Sequence, residues 1–473
     1  MARSGVCTLT RGVSAALRDA LAPTAWVTGD DMQPFLAEWR GDYESHALAV
    51  ALPTTTAEVA AVVRACAREK VSIVPQGGNT GLCGGAVATP EQVILSTQRM
   101  NQVTALSVQD NCITLQSGCT LLQAKQAALV ADRYLPLSLS AEGSCQIGGN
   151  LATNAGGVNF LKYGGARDQT LGLEVVLANG EIMDGCSPLR KNNSGYDWKH
   201  WFIGAEGTLG IITAATLKLW SLPDRRSVVW LGFDSFRALL DCFKSTRQAF
   251  GNTLAAFELI GQRALDFVLR HVVTDSPPIA TAHRWYALVE IHGSETEVDA
   301  HQVFAFFSRK QFEAEIQNAV VASSERDAER LWRLRHAISE AQRAEGISIK
   351  HDIALPLESM PDFVARTENA LQAIAPGCRV VCFGHIGDGN LHYNVSQPID
   401  MPVAQFDNMR EAIQQTVYET VLQHGGSVSA EHGIGLKKRA LLEAQVGRTA
   451  YQAMQSLKQA LDPQNIMNPG KVL

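Results

Sequence analysis

Between residues 140 and 165 the chain reads SAEGSCQIGGNLATNAGGVNFLKYGG, and a second glycine-dense run, PQGGNTGLCGGA, occupies 75–86. Regular helices and strands disfavour glycine at that density, because it gives up more backbone entropy on ordering than any other residue. The glycines are interspersed with Asn79, Thr80, Ser144, Asn150, Thr153 and Asn154. Glycine beside small polar residues exposes successive backbone N–H groups as a nest that can cradle a pyrophosphate. The plain alternative is a set of tight turns. Neither run is a dinucleotide fingerprint: no G-x-G-x-x-G stands between a strand and a helix, since the first run leads into AVATPEQVILS, and no G-x-x-x-x-G-K-[ST] occurs. A nicotinamide Rossmann enzyme and a P-loop NTPase are both disfavoured.

Length adds a second constraint. A chain of 473 residues is expected to divide into lobes of roughly 100 to 200 residues, with clefts where small molecules bind. HALAVALP (46–53) and VSIVP (71–75) read as strands of a β-α-β start. Between them Thr55 and Glu58 form an expected capping box for a helix with Val59, Val62, Val63 and Cys66 on one face. Up to about residue 222 short apolar runs alternate with glycine, including a hairpin signal at Asn179-Gly180, which makes this lobe α+β. From Arg225 amphipathic helices alternate with strands. The expected division is an N-terminal helical region over 1–44, a first lobe over 45–222, a second over 223–425, and a tail over 426–473. Pro463, Pro469 and Gly470 make the end of that tail irregular, and an irregular end is usually pinned to something.

The formal charge of −6, with acidic and basic residues interspersed, offers no single-sign field for nucleic acid or anionic lipid. Ten cysteines are scattered through apolar segments without a C-x-x-C pair, which reads as reduced thiols. No apolar run is long enough to span a membrane, and the N-terminus carries no compact apolar export segment. The expected location is cytoplasmic.

The stretch GHIGDGNLHYN (384–394) sets two histidines on either side of a glycine turn. RVVCFGH and LHYNVS read as strands joined by residues 387–390, so His385 and His392 can converge, and His392 and Asn394 share a face. Glu431 and His432 stand in a later glycine-flanked turn. Two imidazoles and a carboxylate are the donor set of a catalytic Zn²⁺ or similar divalent site with an open position. Packed, hydrogen-bonded histidines are the alternative. The spacing is not that of an H-E-x-x-H helix. In the helix expected over 328–342, Arg335 and Ser339 stand four apart, and Lys350 ends the strand GISIK.

PQGGNTGLCGG, GSCQIGGNLATNAGG, YGGARDQTLGLEVVLANG, FIGAEGTLGIIT, GHIGDGNLH, SAEHGIG and LDPQNIMNPGKVL follow one another in an order that resembles the FAD-linked D-2-hydroxyacid dehydrogenases of the vanillyl-alcohol-oxidase flavoprotein superfamily. The resemblance covers about residues 45–473. It implies a two-subdomain FAD-binding module over 45–222, an α+β substrate cap over 223–425, and a C-terminal segment returning to the flavin. By position, Pro75 and Gly77, Gly78, Asn79, Thr80, Gly81 and Leu82 would hold the pyrophosphate. Ser144, Gly148, Gly149, Asn150, Thr153, Asn154 and Gly156 would line the FAD. Glu206, Gly207, Ile211 and Ile212 would flank the adenine or ribose end, and Asn468 the isoalloxazine side. Asn79 stands in the loop where some relatives attach flavin through histidine, so the FAD is expected to be non-covalent.

The same resemblance assigns His385, His392 and Glu431 to the metal, zinc being the first expectation, and leaves His432 as general base at neutral pH or as support for a ligand. Arg335, Ser339 and Lys350 match the residues that members acting on dicarboxylates use for the distal carboxylate, with Asn394 a further substrate contact. The activity implied is oxidation of a D-2-hydroxyacid to the 2-oxoacid by hydride transfer to flavin N5. D-2-hydroxyglutarate is the first substrate and D-lactate the alternative. A zinc hydrolase and a non-catalytic FAD-binding subunit are the rivals from other classes. The electron acceptor, an electron-transfer flavoprotein, a quinone or a cytochrome but neither oxygen nor NAD, is left open, as is assembly into a homodimer.

Overall fold

The computed structural model describes residues 14–273, 276–294 and 299–473. Cys7 and the start of the expected N-terminal helical region lie outside them. The chain forms two compact units. One comprises the chain up to Gly156, Gly165–Leu222 and Glu431–Leu473; the other is Gly157–Gly164 with Pro223–Ala430.

In the first unit, strands Ala49–Ala51 and Ile73–Gln76 run parallel on either side of Val93–Ser96. Helix Thr56–Glu69 makes the crossover, with Val59, Val62, Val63 and Cys66 fully buried. Its N-terminus departs from the expected capping box. Thr55 Oγ1 accepts from Glu58 N at 3.2 Å, but the Glu58 carboxylate returns to Thr54, accepting from its N–H at 2.6 Å and its hydroxyl at 2.8 Å. Thr54 offers two donors where Thr55 would offer one, so the reciprocal bond forms one residue upstream. A second sheet is antiparallel, in the order Val103–Ser107, Cys112–Gln116, Ile211–Lys218, Thr170–Val176, Ile182–Asp184. The Asn179-Gly180 hairpin joins the last two strands in sequence, and Gly180 takes φ +78°. The irregular tail is pinned as expected: Ile73 N donates to Ile466 O (2.7 Å) and Asn468 N to Ile73 O (2.8 Å), which places the tail along the strand leading into the first glycine loop.

The second unit is built on a wholly antiparallel sheet running Asn318–Val321, Arg225–Phe233, Trp285–Gly293, Leu254–Gly261, Arg379–Gly384, Asn390–Ser396, Ser348–Ile349, with Asp352–Ala354 also paired to Asn390–Ser396. Helix Phe236–Phe250 packs on one face through Phe243 against Phe257, ring centroids 5.1 Å apart. The opposite face carries the helices Gln262–His271, Glu325–His336 and Ile338–Ala344, packed on Trp230, Ile260 and Leu288. The single helix expected over 328–342 is therefore two. Ala337 serves as C-cap of one and N-cap of the next, so Arg335 and Ser339 do not share a helical face; Arg335 is buried and Ser339 exposed.

Candidate active site

The two glycine runs, separated in sequence by residues 87–139, meet in the first unit. A Cβ on Gly78 would lie 1.9 Å from Ser144 O, and one on Gly77 would lie 3.4 Å from Gly149 N. At Gly78 backbone lies against backbone and no side chain fits between, whereas at Gly77 the two loops stand in van der Waals contact. A Cβ on Gly81 or Gly149, in contrast, would point into open space. Four residues with side chains hold positive φ here: Asn79 (53°), Asn154 (50°), Glu206 (52°) and Asn468 (42°). Non-glycine residues seldom adopt that region, and when they do they gather at sites that over-determine the backbone.

Three further segments close on the same place. Asn468 Nδ2 donates to Gly85 O (3.0 Å) and Glu206 O (2.8 Å), while its buried Oδ1 has no partner among the described residues. The buried Glu206 carboxylate accepts Ile434 N (2.7 Å) and Gly435 N (2.9 Å), and so holds the loop that follows His432. Burial pushes this carboxyl above its usual range against those two bonds. Lys471 is also buried, and burial alone pulls its ammonium down to about 8. An orphaned buried acceptor, a buried cation and an open glycine-lined cradle fit a cofactor with donors, anionic groups and a pyrophosphate. FAD has all three. Gln76, Asn79 and Ser144 are engaged locally, Asn79 Nδ2 reaching Ala37 O at 2.7 Å.

The second unit gathers charge instead. Strand pairing sets Ile260 opposite Phe383 and Phe383 opposite His392, so by alternation Glu258, His385, His392 and Asn394 occupy one face. The His385 and His392 rings stand 5.6 Å apart, so the hairpin brings them together as its spacing implied. Beneath them lies Glu258, fully buried: Oε1 accepts from His385 Nδ1 at 2.7 Å and Oε2 from Arg335 Nε at 2.9 Å. Burial would raise this carboxyl, but His385 and Arg335 outweigh it and hold it below the usual range. A carboxylate on Nδ1 fixes the tautomer and leaves Nε2 as the donor toward a metal. Asp352, also buried, stands directly opposite His392, with its Oδ1 3.8 Å from the His392 Nδ1. Ala430, the last residue of this unit, donates its N–H to Asp352 O (3.4 Å), and the next residue along the chain is Glu431. His432 Nε2 lies 3.9 Å from Glu431 Oε1.

Arg335 has its guanidinium 4.9 Å above the Phe383 ring, and Glu258 occupies its Nε and Nη2. Asn394 is spoken for within the fold, accepting from His351 N (3.2 Å) and donating to Gln342 Oε1 (2.9 Å). Lys350 is half-buried between two short strands. A second buried carboxylate, Glu290, binds Arg226 at 2.9 Å and also takes His292 and Trp332 Nε1, so the helix carrying Arg335 is tied to the sheet at both residues. Sequence reading missed Glu258, Asp352, Glu290 and Lys471. For Glu258 the available signal was one acid inside an apolar strand, TLAAFELIG.

Known proteins place the chain in a family. Residues 47–185 match the FAD binding domain family, and residues 222–472 the family of FAD linked oxidases, C-terminal domain. The chain is 38% identical over 455 residues to the mitochondrial D-2-hydroxyglutarate dehydrogenase of Danio rerio, covering 96% of this chain and 84% of that one. It is 38% identical over 442 residues to the D-2-hydroxyglutarate dehydrogenase of Xanthomonas citri pv. viticola, covering 93% and 92%. The chain belongs to the FAD-linked D-2-hydroxyacid dehydrogenases. It is an FAD-dependent oxidoreductase that oxidises a D-2-hydroxyacid. A putative mitochondrial D-lactate dehydrogenase of Schizosaccharomyces pombe is 36% identical over 451 residues, covering 93% and 84%. In fold, the dehydrogenase is similar to p-cresol methylhydroxylase (TM-score 0.78, 17% identity, 97% and 95% covered) and to 4-ethylphenol oxidase from Gulosibacter chungangensis (0.73, 16%, 98% and 98%). The vanillyl-alcohol-oxidase type of module is thereby shown. No described helix is long and apolar enough to cross a membrane, and every described cysteine is a free thiol.

Proposed function

We propose that the substrate is D-2-hydroxyglutarate and the product 2-oxoglutarate. The observation that carries this reading is Glu258, one buried carboxylate whose two oxygens hold His385 and Arg335. That sharing sets a guanidinium one glutamate's width from a metal-ligand candidate, and Nη1 remains for a second substrate carboxylate. Arg335 clasps it and Lys350 adds a point charge; Ser339, exposed and off the Arg335 face, and Asn394, engaged by His351 and Gln342, are left out of the contact set. D-lactate, with no second carboxylate, forgoes those contacts.

FAD, held non-covalently because Asn79 and no histidine occupies the first loop, supplies the hydride acceptor when bound. His385, His392 and Glu431 hold a divalent cation, zinc first, which supplies polarisation of the C2 hydroxyl. Glu258 orients His385 for that task, and Asp352 faces His392. His432 takes the hydroxyl proton, oriented by the loop that Glu206 ties down. Pro75, residues 77–82, the 144–156 segment, Gly207, Ile211, Ile212 and Asn468 serve the cofactor. The division of labour follows a flavin module over 45–222, a cap over 223–425 and a tail from 426. The absence of a nicotinamide fingerprint supports an electron-transfer flavoprotein, a quinone or a cytochrome as acceptor, and the free thiols support a reducing compartment such as the cytoplasm.

Anaerobic flavin bleaching against D- and L-2-hydroxyacids tests the reading. D-2-hydroxyglutarate should exceed D-lactate in kcat/KM by about ten- to a hundredfold, the worth of one charge-assisted contact. Lys350→Ala should erode that ratio while leaving D-lactate turnover nearly unchanged. Faster bleaching by D-lactate would overturn it.

A further inference from the structure

The first unit contains a cavity of about 830 Å³ between strand residues 170–173, Lys218 and the loop at 189–199. None of the residues assigned to FAD lines it. Its wall carries five cationic side chains, Arg167, Arg190, Lys191, Lys199 and Lys218, against two acidic ones, Asp168 and Asp197, in a chain whose net charge is −6. Among the described residues only Lys199 of the five is neutralised by a carboxylate, at 2.5 Å from Asp197. Arg167 donates to the carbonyls of His200 (3.1 Å) and Ile203, Arg190 to those of Asp110 (3.3 Å) and Asn111 (3.4 Å), and Lys218 to that of Asp168. Carbonyl bonds fix these side chains in position without cancelling their charge. The Asp168 carboxylate itself is turned to Gly165 N (3.0 Å). Burial, with Arg190 and Lys199 nearby, pulls the Lys218 ammonium below its ordinary range, as expected of gathered like charges.

We propose that this cleft is a second ligand site, separate from the flavin cradle, for a small molecule bearing several anionic groups: phosphoryl groups as on a nucleoside triphosphate, or carboxylates as on a tricarboxylate. The volume lies within the range of small-molecule pockets. Arg167 and Lys218 are half-buried in its wall, out of reach of a flat acidic protein surface, and Tyr196 and Trp198 add flat faces beside the charges.

Calorimetric titration of the FAD-saturated full chain with ATP, citrate and inorganic phosphate tests the proposal. One saturable site is expected for ATP or citrate, whichever group the cleft prefers, at least tenfold tighter than for phosphate and weakening with salt. Lys191→Glu and Arg190→Ala, both in the exposed loop, should each weaken it about tenfold or more, as should Lys218→Met, with flavin absorbance unchanged. No saturable heat would overturn the proposal. So would binding that displaces FAD, that all three variants leave intact, that is equal for all three anions, or that appears only with an acidic polypeptide.

Discussion

The candidate sites of the two units are built by opposite means. In the flavin unit the site is made of backbone, with glycines at close approach and side-chain-bearing residues forced to positive φ. In the cap unit it is made of buried side-chain charge, with Glu258 and Glu290 each satisfied by an arginine and a histidine. A backbone site is specified by what a few neighbouring residues lack, and it tolerates little added volume. A buried-charge site is specified by partners far apart in the chain, and it tolerates the loss of none of them.

The largest expected effect breaks the cap side of this comparison. Glu258→Ala strands the buried Arg335 and removes the carboxylate behind His385, which should cost about 3–5 kcal/mol in urea unfolding of the flavin-free chain. A loss below about 1 kcal/mol would mean that the charges are hydrated and the contrast between the units is false. Glu290 sharpens the same side through pH. Despite its burial, His292 and Arg226 hold its carboxyl down at about 2. Because the folded value lies below the ordinary 4.5, the stabilisation is present above pH 4.5 and is lost as the pH falls toward 2. It amounts to on the order of 3 kcal/mol. Thermal unfolding between pH 6 and pH 3 should therefore decline more steeply for the native chain than for Glu290→Gln; parallel curves would remove Glu290 from the account. The smallest effect belongs to the flavin unit. Gly78→Ala drives a methyl to 1.9 Å from Ser144 O and must part the two loops. A stability loss of about 1–3 kcal/mol is expected, with FAD affinity, read by flavin fluorescence, falling about tenfold or more. Unchanged affinity would show that the loops are not a cradle.

How much was legible follows the same division. The glycine runs, the β-α-β start, the Asn179-Gly180 hairpin and the pinned tail could be read because each depends on short-range chemistry: φ freedom, periodicity, a turn, a proline. The convergence of His385 and His392 was legible for that reason too, since a hairpin brings its own flanks together. The helix break at Ala337 was not, because Leu331, Leu334, Ile338 and Ala341 keep an apolar period across it and the sheet beneath decides where the turn falls.

The sequence by itself determined that this chain would carry glycine-built loops and a histidine hairpin, since glycine density and alternation act between neighbours. Only the tertiary structure decided which carboxylates serve them. Glu258 reaches His385 across 127 residues and Arg335 across 77, and Glu206 reaches Ile434 across 228. The physical reason is that a buried charge is tolerated only where sheet register delivers its partner, and register is a property of the folded sheet rather than of any stretch of chain.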